Sequence, residues 1–253
     1  MTVEDPTVVA AVYADDLRLA ALLGPGGPFE VEPVVVDGRP LRDFVRSPRT
    51  VLDVFDMGSG HGDLVHVVYR DERHSFGAVR ARALSLAREL QRTFGVRPGD
   101  RVAICMRNLP EYPVAVWGAA LCGAISTPMN SWWVGGELAY ALADAGARVA
   151  VLDDERIERL ADQRPGGVTL LGVRGATGDV ALDDLVTGPP IEPDEVVRPG
   201  RDDVIAMLYT SGTTGRPKGA LLTNRGMTAN VWNMAFGGAR EALLSGRAPA
   251  PAR

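Results

Sequence analysis

Between residues 100 and 152 the chain alternates short apolar strands with helical stretches, and this alternation constrains the fold more than any other feature. "RVAICM" is a continuous apolar run, and "PEYPVAVWGAALCG" opens on a proline and is rich in Ala and Gly. "AISTPMN" is a further strand and turn, "GGELAYALADAG" has helical period, and "ARVAVLDD" returns to an apolar strand. A strand covered on both faces reads as an unbroken apolar stretch, and the helices between such strands supply the covering layers. The expected architecture is α/β, with βαβ units forming a mostly parallel sheet. Upstream, Ser75 is placed to cap a helix in which Phe76, Val79, Ala83, Leu86, Ala87, Leu90 and Phe94 recur at helical spacing. Before it, "DLVHVVYRDERHSF" reads as a hairpin with a charged turn at Asp71 and Glu72.

The flanks are less regular. Residues 1–50 are rich in Gly and Pro and read as a loosely structured leader with one strand at "FEVEPVVV". Residues 163–200 are punctuated by Pro and Gly around a strand, "VTLLGVRG", and a short helical turn, "ALDDLV". "DDVIAMLYT" is one more apolar strand. Past residue 236, "AREALLSGRAPAPAR" loses apolar periodicity, so 237–253 is expected to be an irregular, disordered tail. The organised domain is therefore placed at 51–236.

Composition excludes several classes. A net charge of −5 argues against a nucleic-acid binder, whose surface would be basic. The longest apolar run, "VAVWGAALCGAI", is twelve residues, short of the roughly 18 that a membrane span requires. The N-terminus is acidic and lacks the basic start of a secretory signal, so a cytoplasmic location is expected. Cys105 and Cys122 lie in apolar stretches and read as buried thiols. His61, His66 and His74 have no metal-ligand spacing and read as surface residues. Trp132 and Trp133 suit core or interface packing, and Arg80 to Arg92 a solvated helix face.

The strand "DDVIAMLYT" runs directly into the chemistry. Residues 208–219, "LYTSGTTGRPKG", hold five hydroxyl side chains, three glycines and the chain's single lysine, Lys218, in a sequence with 26 arginines. Gly212 and Gly215 let backbone amides approach a ligand closely, and consecutive amides in such a turn form an anion-binding nest. Thr210, Ser211, Thr213 and Thr214 add hydroxyl donors, and Pro217 stiffens the turn that presents Lys218. An ammonium is a compact point charge that follows moving phosphate oxygens, whereas guanidinium imposes a planar fork. The residues "ALLTNRGMTANVWNMAF" behind the loop can start a helix, whose N-terminus would favour the same negative charge. The ligand that suits this set is a polyphosphate. The Walker A spacing does not fit, because Pro217 stands where that pattern requires glycine.

"YTSGTTGRPKG" resembles the phosphate-loop signature of the adenylate-forming (AMP-binding) superfamily: acyl-CoA synthetases, luciferases and peptide-synthetase adenylation domains. "GVRPGDRVAICMRNLPEYPVAVWGAALCGAISTPMN" and "GELAYALADAGARVAVLDD" resemble the family's upstream segments in the same order. "MNSWWVGGEL" and "GPFEVEPVVVDGRPLRDFV" are most similar to the fatty-acid or related acyl-CoA ligase branch. The resemblance runs over roughly residues 28–236 and implies the first half of the family's large N-terminal domain, with the chain apparently truncated.

The resemblance implies a two-step reaction. A fatty or related carboxylate attacks the α-phosphate of ATP, releasing pyrophosphate, and the CoA thiol then displaces AMP to form a thioester. Thr210, Ser211, Gly212, Thr213, Thr214, Gly215 and Lys218 would handle the β- and γ-phosphates. ATP, Mg2+ and CoA are the implied cofactors, with the Mg2+ ligand and the adenine contacts expected outside this chain. Asn224 stands where relatives often carry histidine. Two readings stay open: the N-terminal portion of an acyl-CoA synthetase, inactive alone or completed by a separately encoded C-terminal half, and a non-catalytic remnant of a frameshifted or truncated ligase gene.

Overall fold

The computed structural model describes residues 17–175, 177–210 and 216–246, and the chain divides into two compact units. The smaller unit comprises residues 1–49 and 225–253. It contains a short helix, α1 (Leu17–Leu23), the antiparallel strands β1 (Val31–Val36) and β2 (Arg39–Phe44), and nearly all of a long C-terminal helix, α8 (Asn224–Ser245). Asp37 and Gly38 turn the hairpin with φ of 50° and 75°, the backbone that an Asp-Gly pair adopts readily. Phe29 packs its ring 5.7 Å from that of Trp232 and 5.4 Å from that of Phe236. Asp43, almost fully buried, is ion-paired with Arg225. The leader thus carries two strands where composition suggested one.

The C-terminal end also differs from expectation. α8 continues through 237–245, which the loss of apolar periodicity had marked as irregular. Ala, Arg, Glu and Leu are strong helix formers, and their propensity extends the helix without a stripe to bury. Gly246, at φ 67°, follows the last helical residue. Residues 247–253 lie outside the described set.

The larger unit, 50–224, is built on a seven-stranded sheet. It opens with α2 (Val51–Met57), capped reciprocally by Thr50 and Asp53, then β3 (Val65–Tyr69), β4 (Glu72–Ser75) and α3 (Phe76–Arg92). β3 and β4 pair as the expected hairpin, with the turn one residue earlier, at Arg70–Asp71, and Ser75 caps α3 through the Ala78 amide at 3.1 Å. The βαβ run follows: β5 (Arg101–Cys105), α4 (Glu111–Leu121), β6 (Ile125–Pro128), α5 (Gly135–Ala145) and β7 (Ala147–Leu152). Then come α6 (Asp154–Leu160), β8 (Thr169–Gly172), β9 (Val180–Ala181), α7 (Leu182–Leu185), β10 (Val204–Thr210) and β11 (Lys218–Thr223). The strand order is β11-β10-β6-β5-β7-β8-β9, parallel throughout except for the antiparallel β10–β11 pair.

Alternate residues of each central strand serve opposite layers, as the two-residue period of a strand requires. Val102, Ile104, Val149, Val151 and Leu171 meet Leu86 and Leu90 of α3 and Val114, Ala115 and Ala119 of α4. Ala103, Cys105, Ala150, Leu152 and Leu170 meet Leu138, Ala141 and Leu142 of α5 and Leu160 of α6. The small residues of α4 also serve the neighbouring helix: a methyl group at Gly118 would come within 2.8 Å of the Leu86 side chain. Cys105 and Cys122 are buried, free thiols, and burial pushes both up to about 12, which suits packing rather than chemistry.

The arginines of α3 are more than a solvated face. Arg80 lies over the Phe55 ring at 4.1 Å and bonds Asp56 at 3.0 Å, Arg82 reaches Asp183 at 3.5 Å, and Arg92 reaches Glu195 at 2.7 Å. These partners are remote in sequence, so helical periodicity could not reveal them. No described helix is long and apolar enough to cross a membrane.

Candidate functional site

β10 carries the glycine- and hydroxyl-rich motif to the carboxyl edge of the sheet, and β11 brings the chain back beside it. The two strands pair with Thr210 opposite Lys218 and Tyr209 opposite Gly219, and the Thr210 hydroxyl reaches the Lys218 carbonyl oxygen at 3.4 Å. Both ends of the motif are thus held in register by backbone pairing. Ser211, Gly212, Thr213, Thr214 and Gly215 lie outside the described residues. The expected helix immediately behind Lys218 is replaced by the six residues of β11, and α8 starts only at Asn224. An apolar "ALLT" next to an open strand edge gains more from ladder pairing than from starting a helix there. The helix N-terminus therefore does not sit directly behind the lysine.

What lies under the hairpin was not legible from the motif. Tyr209 sets its ring edge-on to the buried Trp133, with centroids 5.8 Å apart, and its hydroxyl donates to Asp144 at 2.7 Å and to the Ala141 carbonyl at 3.3 Å. Burial, and next the bond to the Asp144 carboxylate, push the Tyr209 phenol well above its usual range, so it stays a donor. Gly219 makes room for this arrangement. A methyl group there would fall 2.8 Å from the Met207 sulfur and 3.5 Å from the Tyr209 ring. The glycine after the lysine therefore serves packing across the hairpin. On the returning side, the Arg216 guanidinium lies over the Tyr140 ring at 5.3 Å. Tyr140 and Asp144 are four residues apart on α5, one above the other on the same face.

A second set of polar groups gathers at the carboxyl ends of β5 and β7, where the strand order reverses direction. The Arg107 amide donates to Asp153 at 2.9 Å, and the Arg107 guanidinium stacks over Trp132 at 3.9 Å. Trp132 is 68% exposed whereas Trp133 is buried, so the tryptophan pair divides between surface and core. The fully buried Arg156 bonds Asp153 and donates to the Ser131 carbonyl, tying the loop after β6 to the start of α6. These groups satisfy one another and act as a structural clasp. Asn224 does the same at the hairpin's exit: its side chain accepts from the Val51 amide at 2.9 Å and donates to the Gly200 carbonyl at 2.8 Å. Among the described residues no three His, Cys, Asp or Glu side chains are grouped so as to hold a metal ion.

Residues 55–247 match the family described as AMP-binding enzyme. The chain is 39% identical over 160 residues to a feruloyl-CoA synthase of Amycolatopsis, covering 63% of this chain and 30% of that protein. It is 32% identical over 194 residues to a mitochondrial malonate–CoA ligase of Homo sapiens, covering 74% and 32% respectively. Its fold superposes on the inhibitor-bound N-terminal domain of FACL13 from Mycobacterium tuberculosis with a TM-score of 0.59 and 29% identity, covering 69% of this chain and 44% of that one. The chain spans about a third of the length of the curated relatives it matches. With a mostly parallel α/β sheet and a family match over residues 55–247, the chain belongs to the AMP-binding enzyme family.

Proposed function

We propose that this chain is the N-terminal, phosphate-handling portion of an ATP-dependent acyl-CoA synthetase. The observation that carries this reading is the β10–β11 hairpin, which fixes Thr210 and Lys218 opposite each other at the carboxyl edge of the sheet. In the proposed reaction a carboxylate oxygen attacks the α-phosphorus of ATP and pyrophosphate leaves with the electron pair of the broken P–O bond. Thr210, Ser211, Gly212, Thr213, Thr214, Gly215 and Lys218 stabilise the charge developing on that leaving group. The CoA sulfur then attacks the acyl carbon and AMP departs. A fatty or aryl acid, ATP and CoA are the proposed substrates, and the location proposed is the cytoplasm. Mg2+ supplies charge neutralisation to the family's nucleotide, and no step is routed through it here. Residues 51–236 form the proposed partial AMP-binding domain.

The adenine pocket and the second half-reaction are assigned to segments that relatives have and this chain does not align with. The 253-residue chain alone is therefore expected to bind ATP weakly and to form no adenylate. ATP–pyrophosphate exchange with a panel of fatty and aryl acids, run beside Lys218→Ala, checks both parts. No exchange, together with a broadening of the 31P resonances of ATP by the chain that Lys218→Ala abolishes, is the expected result. Exchange that survives in the variant would overturn the role of Lys218, and exchange that is lost in it would overturn inactivity alone.

A further inference from the structure

The motif residues are flanked on both sides by aromatic and charged groups that meet the same helix. Tyr209 precedes Thr210 and donates its hydroxyl to Asp144. Arg216, two residues before Lys218, lies over the ring of Tyr140. Tyr140 and Asp144 are one helical turn apart on α5, and the Tyr140 hydroxyl itself reaches Asp144 at 3.4 Å. Neither residue belongs to the phosphate motif, and 64 or more residues of sequence separate each from it.

We infer that Asp144 and Tyr140 are positioning residues for phosphate binding: α5 braces the outgoing and the returning arm of the hairpin, and so fixes where Thr210 and Lys218 stand. This rests on the reading of the motif as a phosphate loop. The physical case comes from the exposure of the hairpin itself. β11 is an edge strand, paired only with β10, and its first four residues are exposed. Backbone pairing alone leaves an exposed edge arm prone to twist or peel. Lys218 is exposed, so the position of its ammonium depends on the strand that carries it. The two contacts to α5 restrain that strand. Asp144 holds the Tyr209 phenol, whose ring also packs on Trp133, and Tyr140 holds Arg216 by a cation–π contact. The brace acts through position, and neither α5 side chain needs to touch the phosphates.

The single lysine supplies a direct test. A lysine-specific endoprotease can cut this 253-residue chain only after Lys218, so its rate reports the opening of this one hairpin. Asp144→Ala and Tyr209→Phe are each expected to speed cleavage by about fivefold, the effect of losing one half-exposed hydrogen bond. The double variant is expected to cut no faster than either single one, because both remove the same contact. Asp144→Asn, which keeps an acceptor, is expected to restore most of the protection. Tyr140→Leu should also open the hairpin, through the lost contact with Arg216. Additive effects of Asp144→Ala and Tyr209→Phe would mean general loosening and would overturn the brace.

Inorganic tripolyphosphate, added to the same assay, separates positioning from mere stability. It is expected to slow cleavage of the parent chain, and to require about fivefold more to do so in Asp144→Ala. Equal protection of both chains would overturn positioning. If tripolyphosphate protects neither, the phosphate reading of the motif fails, and the double-variant cycle alone decides whether α5 braces the hairpin.

Discussion

The central strands β5, β7 and β8 and the terminal pair β10–β11 belong to one sheet but are stabilised in different ways. In β7, every residue but Arg148 is buried, and helices cover both faces. In β11 the first four residues are exposed, and Leu208 and Leu221 of the β10–β11 pair stand 41% and 58% exposed. The first region is held by apolar burial spread over many close-packed neighbours on both faces. The second is held by ladder hydrogen bonds and a few specific contacts to α5. The motif proposed to hold phosphate grows from the second. Binding loops that accept and release charged ligands are commonly carried on lightly held arms rather than in the packed interior.

Paired truncations break this comparison most directly. Leu171→Ala, at a fully buried site between α3, α4 and the sheet, is expected to destabilise the unit by about 2–5 kcal/mol. Leu221→Ala on the hairpin is expected to change stability by about 0.5 kcal/mol or less. Urea unfolding followed by circular dichroism measures both, and equal losses would mean that the hairpin face is covered in solution.

A smaller effect sharpens the contrast from inside the packed region. Ser126 of β6 is 5% exposed and its hydroxyl has no hydrogen-bond partner among the described residues. Ser126→Ala removes an unsatisfied buried polar group and is expected to stabilise the unit by about 1 kcal/mol. That corresponds to a rise in melting temperature of roughly 2–4 °C, and a fall would show that the hydroxyl is bonded.

The smallest effect concerns the ion-paired rim. Arg174, at φ 55°, forms a two-pronged pair with Glu72, with oxygens at 2.8 Å, and bonds the buried Glu111 at 3.0 Å. The Arg174 guanidinium, and next His74, hold the Glu72 carboxyl at about 2, below its ordinary value of 4.5. The folded state therefore gains from this pair fully above pH 4.5, and loses the gain as pH falls from 4.5 toward 2. Glu72→Gln is expected to remove this gain, lowering stability slightly above pH 4.5 and leaving it unchanged near pH 2, so that the acid limb flattens in that window. An unchanged acid limb would show that other carboxylates set it.

Much of this was legible in the chain itself. The βαβ order, the capping by Ser75 and the buried cysteines follow from local rules: a doubly covered strand must be apolar along its length, and a helix must show its stripe every three or four residues. The motif from Thr210 to Lys218 stands out in the chain by its single lysine among 26 arginines, and its proposed phosphate role rests on that reading. The strand that follows Lys218 was misread as a helix start, because "KGALLT" shows no period strong enough to choose and only pairing with β10 decides it. The helix through Ser245 was missed because propensity can extend a helix that buries nothing.

Sequence by itself thus determined the layer architecture, because it depends on interactions within a few residues and on the average polarity of a face. Tertiary structure alone decided which way β11 runs, that Gly219 yields space to Met207 and Tyr209, and that Asp144 and Tyr140 stand beneath the motif's two arms. The first two depend on how β11 pairs back on β10, and the last on where elements more than 60 residues apart meet, which no local pattern records.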